Sequence, residues 1–381
     1  MAAVDPRIRL SEPSVGTAEA DAAARAVADG HLTFGPDLPA FEAGLAAAVG
    51  VDDAVAVSTG TAALHLALVV AGVRPGDEVW VSDLTFIASA NAAHQCGARI
   101  TLVDSEAESW NLDPEPVVDE IARRAAAGEP MPAAIVPVHL LGHPARLEPI
   151  LAVAGEHGIP VVEDAAEALG STWATGSLAG QAPGTVGELG IYSFNFNKLI
   201  STGGGGMVVA RDPDVLARVR HLGSQAKVPG SDYVHDEVGF NYRMSNVAAA
   251  IGAVQIAKLA DLVAGRRAVA ERYREAFAPF GLAGGPDAPW AHRSGWLASV
   301  VLPDRDTRAA VRRALDAEGI EARPIWPPLR TQRPYRGAPV LGGDTAVAIA
   351  DRVLCLPCSA HLGDAEQDEV IERVVAVLRS G

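Results

Sequence analysis

The feature that most constrains the fold is a series of short apolar segments between residues 54 and 211, which alternate with helical ones. Val/Ile-rich segments separated by helices of about 10 to 15 residues are typical of βαβ units, whose mostly parallel sheet is covered by helices on both faces. The sequence therefore predicts an α/β fold. The predicted strands are "AVAVST" (54–59), "DEVWVS" (77–82), "RITLVD" (99–104), "AAIVPVHL" (133–140), "IPVVED" (159–164), "LGIYSF" (189–194) and "GMVVAR" (206–211).

The remainder of the chain has a different pattern. A long helical stretch covers residues 245–277 and is followed by a Pro/Gly-rich segment, 280–289. A strand-like segment "WLASVVL" (296–302), a helix at 306–319 and a terminal helix from Ala365 complete the chain. We expect two domains: a large one with the N-terminal segment over residues 1–262, and a smaller α+β domain over residues 263–381.

Composition narrows the function classes. The formal net charge is −16, whereas nucleic-acid binding depends on basic patches that meet phosphates, so we expect no nucleic-acid partner. Three cysteines are too few for a disulfide framework. The sequence has neither a signal-peptide pattern at its start nor an uncharged apolar run of about 18 residues. We therefore expect a cytoplasmic protein with no membrane segment, and no metal site.

Polar residues follow the predicted strands, and ligands of such sheets bind outside the carboxyl ends of the strands. Gly60 and Thr61 come between a strand and a helix, where free backbone N–H groups and the helix dipole form an anion site. Viewed alone, the same residues also fit an ordinary turn with Thr61 near the helix N-cap.

Asp164 and Phe86 each have two interpretations. Asp164 directly follows an apolar strand, and a buried acid needs a charged or hydrogen-bonded partner. A protonated pyridine nitrogen is such a partner, and a helix N-cap is the alternative. Phe86 also follows a strand, where its ring is placed either to stack on a flat ligand or simply to fill the core.

Lys198 lies in "IYSFNFNKLISTGGGG", between an apolar strand and four glycines. A lysine held against apolar neighbours loses its proton more readily and then acts as a nucleophile or base. Glycines from Gly203 to Gly206 permit close approach of neighbouring backbone. A phosphate anchor (Gly60, Thr61 and Ser193), an acid, a flat aromatic ring and a single amine are together the parts that hold pyridoxal phosphate.

At this point the sequence resembles a known family. The segments that carry the likeness are "STGTAALHLAL", "GDEVWVSDLTFIASANA", "PVHLLGHPARLEPI", "VEDAAEALGS", "SFNFNKLISTGGGG" and "HDEVGFNYRMSNVAAAIGAVQ". In this order they are similar to the DegT/DnrJ/EryC1/StrS family of pyridoxal 5'-phosphate-dependent (nucleotide-)sugar aminotransferases. The likeness covers nearly the whole chain.

The resemblance implies a type I aminotransferase fold and a homodimer with active sites shared between subunits. It also implies roles for individual residues. Lys198 would bond the cofactor and move the proton, Asp164 would pair with the pyridinium nitrogen, and Phe86 would cover the ring. By the same resemblance, Glu167 would lie beside the ring and the substrate. The phosphate would be held by Gly60, Thr61 and Ser193, and Asn241 would reach it from the other subunit.

The resemblance also implies L-glutamate as amino donor and a nucleotide-linked keto sugar as acceptor. "SFNFNK", "SQAKVP" and "HDEVGFNYRM" look most like the branch that acts on UDP-linked 4-keto-6-deoxy-N-acetylhexosamines, although Phe196 replaces a glycine of that branch. Two alternatives stay open: a keto-cyclitol acceptor, and a regulator that binds the cofactor without turnover. A related 3-dehydratase has histidine in place of the lysine, so Lys198 argues against it.

Three histidines are expected to be structural. His139 and His143, in "VHLLGH", follow a predicted core strand, and His65 lies on an apolar helix. A histidine in such a place is more often a hydrogen-bonded core residue than a ligand or a catalyst. We therefore expect no chemical role for these three side chains.

Overall fold

A computed structural model describes residues 6–380 of the chain. Its strands form two four-stranded ladders, β12-β3-β2-β4 and β5-β7-β8-β1, joined side by side by isolated parallel bridges between β4 and β5. The strands are β1 (Ala54–Val57), β2 (Glu78–Ser82), β3 (Arg99–Val103), β4 (Ala134–Val136), β5 (Val162–Asp164), β6 (Thr172–Trp173), β7 (Leu189–Ser193), β8 (Gly206–Val209), β9 (Ala291–His292), β10 (Ala298–Val301), β11 (Arg323–Pro324), β12 (Val340–Leu341) and β13 (Val353–Leu356).

Helices cover this sheet and build most of the C-terminal part. They are α1 (Thr17–Ala28), α2 (Asp37–Val49), α3 (Gly60–Val70), α4 (Ala88–Gln95), α5 (Pro114–Ala127), α6 (Glu148–His157), α7 (Pro213–Gly223), α8 (Asn246–Ala257), α9 (Leu259–Phe277), α10 (Arg305–Ala317), α11 (Thr345–Arg352) and α12 (Asp364–Ser380). Short 3-10 turns span Leu140–Gly142, Ala278–Phe280 and Leu329–Thr331.

The large sheet is mostly parallel, which confirms the predicted α/β class. Only β8 runs against its neighbours, pairing antiparallel with both β1 and β7. β1, β4, β5 and β8 are buried along their whole length, because Val, Ile and Leu side chains pack against helices on each face. All seven predicted strands are present, each shorter than its apolar segment.

The C-terminal part contains a three-stranded antiparallel sheet, β10-β13-β11. β10, α10 and α12 lie where the sequence predicts them. β11, β12 and β13 were not predicted. β12 pairs in parallel with β3 and so becomes the edge strand of the large sheet. The predicted domain boundary at residue 262 falls inside α9, and the division into two domains stays a prediction.

The long helical stretch of residues 245–277 is not one helix. α8 and α9 meet at Lys258, and the chain bends by 64° there. Among the described residues no single helix is long and apolar enough to cross a membrane. α8 and α9 taken together have that length and composition, but they are bent relative to each other. Arg266 of α9 is buried inside the protein.

Candidate active site

The predicted site residues other than Asn241 lie at the carboxyl ends of the parallel strands. Asp164 is the last residue of β5 and Ser193 is the last residue of β7. Gly60 opens α3 after β1, and Phe86 follows β2. Since these strands run in the same direction, their ends share one edge of the sheet.

The N-terminus of α3 is packed closely against Ser193. Thr59, not Thr61, is the N-cap residue, and its hydroxyl accepts a hydrogen bond from the Ala62 N–H at 3.0 Å. A Cβ added at Gly60 would lie 2.8 Å from the Ser193 Cβ. The absence of a side chain at residue 60 therefore lets Ser193 pack against the first turn of α3. This brings its hydroxyl beside the first-turn N–H groups, a combination suited to an anion.

The four glycines after Lys198 have different roles. A Cβ at Gly206 would lie 2.5 Å from the Thr59 carbonyl oxygen, and one at Gly205 would lie 2.6 Å from the Met244 side chain. These two glycines permit the close packing predicted from the sequence. Gly204 has nothing within 4 Å of such a Cβ, and Gly203 has a φ of +81°, a backbone conformation that favours glycine. Close packing therefore explains only half of the run.

Asp164 is a buried carboxylate without a cationic partner. Its Oδ2 accepts a hydrogen bond from the Ser89 hydroxyl at 2.7 Å, and its Oδ1 accepts one from the Ala166 N–H at 3.1 Å. Within residues 6–380 no basic side chain forms an ion pair with it. Burial raises the pKa of Asp164, and these two hydrogen bonds oppose the rise. The Ala166 contact resembles a local cap but brings no charge to the acid. The nearby Lys198 amine also opposes the rise in the pKa of Asp164, without forming an ion pair with it.

Lys198 and Glu167 form the second buried pair of this site. The Lys198 Nζ lies 3.6 Å from Glu167 Oε1, and only 12% of the lysine side chain is exposed. Burial lowers the pKa of Lys198, while the nearby carboxylates Glu167 and Asp164 oppose that shift. Burial also raises the pKa of Glu167 to about 7. The amine is therefore held where it exchanges its proton more readily than an exposed lysine.

A strained turn fixes Glu167. Leu141 has a φ of +53°, in the left-handed region that residues with a Cβ rarely adopt. In this conformation its N–H donates to Glu167 Oε2 at 2.8 Å. Strain of this kind persists only where the surrounding structure over-determines it, which is typical of functional sites.

Aromatic side chains border the site. Phe86 is 52% exposed, and its ring meets Trp326 edge-on with the ring centroids 6.5 Å apart. Trp326 stacks on Trp296 at 5.9 Å. The Lys198 Nζ lies 3.8 Å from the centroid of the Trp296 ring. Phe86 is thus not a core residue, and its ring is available to a flat ligand.

Sequence reasoning missed Ser89, Trp296 and Trp326. Ser89 lies on the helix after Phe86 and has no motif of its own. Trp296 opens the segment that we interpreted only as a strand, and Trp326 lies in an irregular segment. Their proximity to Lys198 and Asp164 depends on long-range packing, so no local signal could have found them.

Among the described residues Asn241 forms no hydrogen bond with the other predicted site residues, although the carbonyl oxygen of its neighbour Tyr242 accepts a hydrogen bond from the Ser58 N–H at 2.7 Å. Asn241 is exposed and forms an isolated antiparallel bridge with Ser224. A cavity of about 650 Å³ adjoins it, which Arg220, Lys227 and Arg243 also line. This location neither brings Asn241 to Lys198 nor tests its predicted reach into another subunit.

The three histidines have hydrogen-bonding partners of a structural kind. His139 Nε2 donates to Glu163 at 2.9 Å while its Nδ1 accepts from the Ala145 N–H. His143 Nδ1 donates to the Pro144 carbonyl and its Nε2 accepts from the Ala288 N–H. Burial lowers the pKa of His143 to about 4. His65 contacts the Tyr242 hydroxyl.

One group of described side chains has the composition of a metal site. Ligand atoms of His221, Asp236 and Glu237 lie within 4.8 Å of one another. Glu237 also forms an ion pair with Arg218. Because a cation of the chain itself already neutralises this acid, the group carries no metal assignment.

The residues present fit pyridoxal phosphate. The first-turn N–H groups of α3 and the Ser193 hydroxyl suit its phosphate. Asp164, which forms no ion pair among the described residues, suits its protonated ring nitrogen. The exposed Phe86 ring offers a flat face, and Lys198 offers an amine of lowered pKa. Fold and site together define a pyridoxal phosphate-dependent aminotransferase of fold type I.

Comparison with known proteins gives the particular family. The chain belongs to the DegT/DnrJ/EryC1/StrS aminotransferase family, whose sequence model matches residues 13–375. It is 38% identical to GDP-perosamine synthase of Caulobacter vibrioides, over 98% of both chains. It is 35% identical to the putative pyridoxal phosphate-dependent aminotransferase EpsN of Bacillus subtilis, over 96% of this chain and 94% of the relative. Among solved structures it is similar to the aminotransferase TlmJ of Streptoalloteichus hindustanus, with a TM-score of 0.88, 32% identity, and 98% and 99% of the two chains covered.

Proposed function

We propose that this aminotransferase moves the amino group of L-glutamate to a nucleotide-linked keto sugar, with Lys198 as the reacting amine. The observation that carries the proposal is a buried amine of lowered pKa, 3.6 Å from Glu167, near a second buried acid, Asp164, with which no described basic side chain forms an ion pair. Such perturbed groups at a strand-end site are typical of catalytic centres.

The pyridoxal phosphate, when bound, supplies a carbonyl carbon that bonds amines and a ring that accepts electrons. Lys198 would take the proton from the α carbon of glutamate and return it on the cofactor side. It would perform the reverse transfer on the keto sugar and deliver the proton to the former carbonyl carbon. Glu167, 3.6 Å from the amine, would hold it within reach of both positions.

The other predicted residues would bind and orient. Asp164 would keep the ring nitrogen protonated, because a carboxylate opposite a pyridinium favours the charged form. The first-turn N–H groups at Gly60 and Thr61, with the Ser193 hydroxyl, would hold the phosphate. Phe86 would cover one face of the ring.

A homodimer belongs to the same proposal. The family resemblance implies that Asn241 reaches the phosphate site of a second subunit, and Asn241 is exposed at a cavity that several cationic side chains also line. Asn241→Ala should raise the dissociation constant of the cofactor without loss of folding. A fully active monomer at assay concentration would rule out a shared site.

The nucleotide-sugar acceptor is supported by the relative named GDP-perosamine synthase. We favour a UDP-linked N-acetylated 4-keto-6-deoxyhexose, on the resemblance of residues 193–198 and 224–229. The test is a panel of UDP-, dTDP- and GDP-linked 4-keto sugars with glutamate as donor. Turnover limited to a keto-cyclitol would replace the sugar with the alternative acceptor.

Donor and enzyme activity are tested separately from the acceptor. Glutamate alone should shift the absorbance band of the bound cofactor and release one equivalent of 2-oxoglutarate per site. A bound cofactor whose band does not respond to any amino acid would favour the regulator without turnover. The proposal places the protein in the cytoplasm, in accord with its three cysteines, all of which are free.

A further inference from the structure

The Lys198 amine has a contact that the proposed chemistry does not require. Its Nζ lies 3.8 Å from the centroid of the Trp296 ring, a distance at which an ammonium ion is attracted to the negative face of an indole. Trp296 is 1% exposed. Its ring is therefore a dry surface on which a charged amine rests against π electrons instead of water.

The Trp296 side chain is tied directly to the lysine segment. Its indole Nε1 donates to the Asn197 carbonyl oxygen at 2.8 Å. Asn197 immediately precedes Lys198, so the ring and the lysine backbone cannot move independently. The distance from the amine to the ring is consequently a fixed property of the site.

A buried arginine is hydrogen-bonded to Trp296 and, through Ser11, to Asn197. Arg266 is 1% exposed, donates to the Trp296 carbonyl oxygen at 3.0 Å and to the Ser11 hydroxyl at 2.9 Å. Ser11 in turn donates to the Asn197 carbonyl oxygen at 2.9 Å. Among the described residues Arg266 forms no ion pair with an acid. A buried, unpaired cation is costly. One of its contacts fixes Trp296 and another reaches Asn197 through Ser11, while a third goes to the Cys358 Sγ at 3.3 Å.

We propose that the Trp296 ring is the resting surface of the Lys198 amine whenever that amine is not bonded to the cofactor. The inference rests on the proposed role of Lys198, which is free in each cycle while the amino group is carried by the cofactor. A charged amine held on the ring stays near Glu167 and is prevented from moving into the substrate space. Trp296 is thus a positioning residue for the reacting lysine.

Several charges act on this amine besides the ring. Glu167 and Asp164, in the segment that ends and follows β5, favour its charged form. Arg266 of α9 lies on the far side of the Trp296 main chain. The test must therefore change the ring and leave these three groups in place.

The experiment measures the titration of Lys198 in the full-length, cofactor-free protein. Trace acetylation between pH 6 and 11, with each lysine peptide quantified by mass spectrometry, gives a separate pKa for each lysine. The chain has only two other lysines, Lys227 and Lys258, which serve as internal controls. Trp296→Leu should lower the pKa of Lys198 by roughly 0.5 to 1.5 units and leave both controls unchanged.

A matched variant separates the ring face from the indole hydrogen bond. Trp296→Phe and Trp296→Leu both lose the bond to Asn197, but only the phenylalanine keeps a π face. The pKa of Lys198 should therefore be higher in the Phe variant than in the Leu variant. Equal titration curves in two folded variants would overturn the proposal.

Fluorinated tryptophan at residue 296 keeps the test decisive if the Leu variant does not fold. Fluorine preserves the shape of the ring and its N–H but weakens the negative potential of its face. The pKa of Lys198 should fall stepwise from tryptophan through monofluoro- to trifluorotryptophan, and an unchanged pKa would overturn the proposal. Mapping of the cofactor to a different lysine would instead refute the proposed function, independently of these titrations.

Discussion

Two clusters of buried charge lie at the same edge of the large sheet, and they are partnered very differently. The Arg330 cluster consists of Arg330, Asp83 and Asp104, with the acids placed directly after β2 and β3. The lysine centre consists of Lys198, Glu167 and Asp164. Both clusters contain two buried acids and one base, yet only in the first does each acid have both a close cation and backbone N–H donors.

In the Arg330 cluster every charge has close partners. Arg330 Nε donates to Asp83 Oδ2 at 2.5 Å, and Nη2 lies 3.1 Å from Asp104. The Asp104 carboxylate also accepts from the Thr345 and Ala346 N–H groups. These contacts attach residues 329–346, including β12, to the edge of the sheet. The Arg330 cluster therefore has a structural role.

In the lysine centre the base is 3.6 Å from one acid, and the other acid has only neutral donors. Incomplete partnering of buried charge costs stability, and it leaves groups able to bind a charged ligand or exchange protons. Burial and charge alone therefore do not distinguish these two clusters, whereas the partners of their acids do.

The largest effect on stability should come from a change in the Arg330 cluster. Arg330→Met leaves two buried acids without their cation and should lower the free energy of unfolding by about 3–5 kcal/mol at pH 7. The loss should be smaller at lower pH, since burial raises the pKa of Asp83 and a protonated acid needs no cation. Urea unfolding measures both values. Arg333→Met, at an exposed arginine of the same segment, is the control and should change stability by less than about 0.5 kcal/mol.

The next effect concerns the pH dependence of stability. Burial raises the pKa of Glu167 from its ordinary 4.5 to about 7. The folded state therefore holds a proton that the unfolded state releases, so stability is highest below pH 4.5 and is lost as the pH rises through 7. At about 1.4 kcal/mol per unit the loss is about 3 kcal/mol.

Glu167→Gln in the cofactor-free protein should remove most of that loss between pH 5 and pH 8. Glu188→Gln, at an exposed position, should leave the pH dependence unchanged. If the two variants have the same pH dependence as the unaltered chain, Glu167 is not a proton-holding group.

A third effect concerns catalysis and Asp164, the acid of the lysine centre that forms no ion pair. A charge-assisted bond is worth about 1.5–3 kcal/mol, so Asp164→Asn should slow both half-reactions by roughly 10- to 150-fold. Folding should be little affected, because asparagine still accepts from Ser89. Stopped-flow absorbance measures each half-reaction. Unchanged rates would mean that Asp164 only caps the adjoining backbone.

The smallest effect should come from the ring at the edge of the site. Aromatic contacts are worth about 0.5–1.5 kcal/mol beyond their buried area, so Phe86→Leu should raise the dissociation constant of the cofactor by roughly 2- to 12-fold. Phe280→Leu, at a partly exposed ring in the C-terminal part, should have no effect on cofactor binding.

Local sequence patterns were enough to predict several residues at the strand ends. Asp164, Ser193 and Lys198 follow apolar segments long enough to identify strands, and strands that run in parallel place their ends together. β12 contains only two residues, Val340 and Leu341, too few for a periodic signal. Its place beside β3 depends on Arg330, whose partners are distant in sequence.

Trp296 and Ser89 were unpredictable for the same reason. The contact of Trp296 with Lys198 spans about a hundred residues of sequence, and it exists because β10 and the lysine segment pack together. Ser89 is an ordinary helix residue until β5 brings Asp164 beside it. The family resemblance supplied roles for other residues but said nothing of these two.

The proposed role of Lys198 as the amine that bonds the cofactor can be measured directly. Borohydride reduction of the holoprotein fixes the cofactor to whichever lysine holds it, and peptide mass spectrometry then identifies that lysine among the three in the chain. We predict a label on Lys198 alone, and none in Lys198→Ala. A label on Lys227 or Lys258, or one that persists in Lys198→Ala, would show that Lys198 is not the amine that bonds the cofactor.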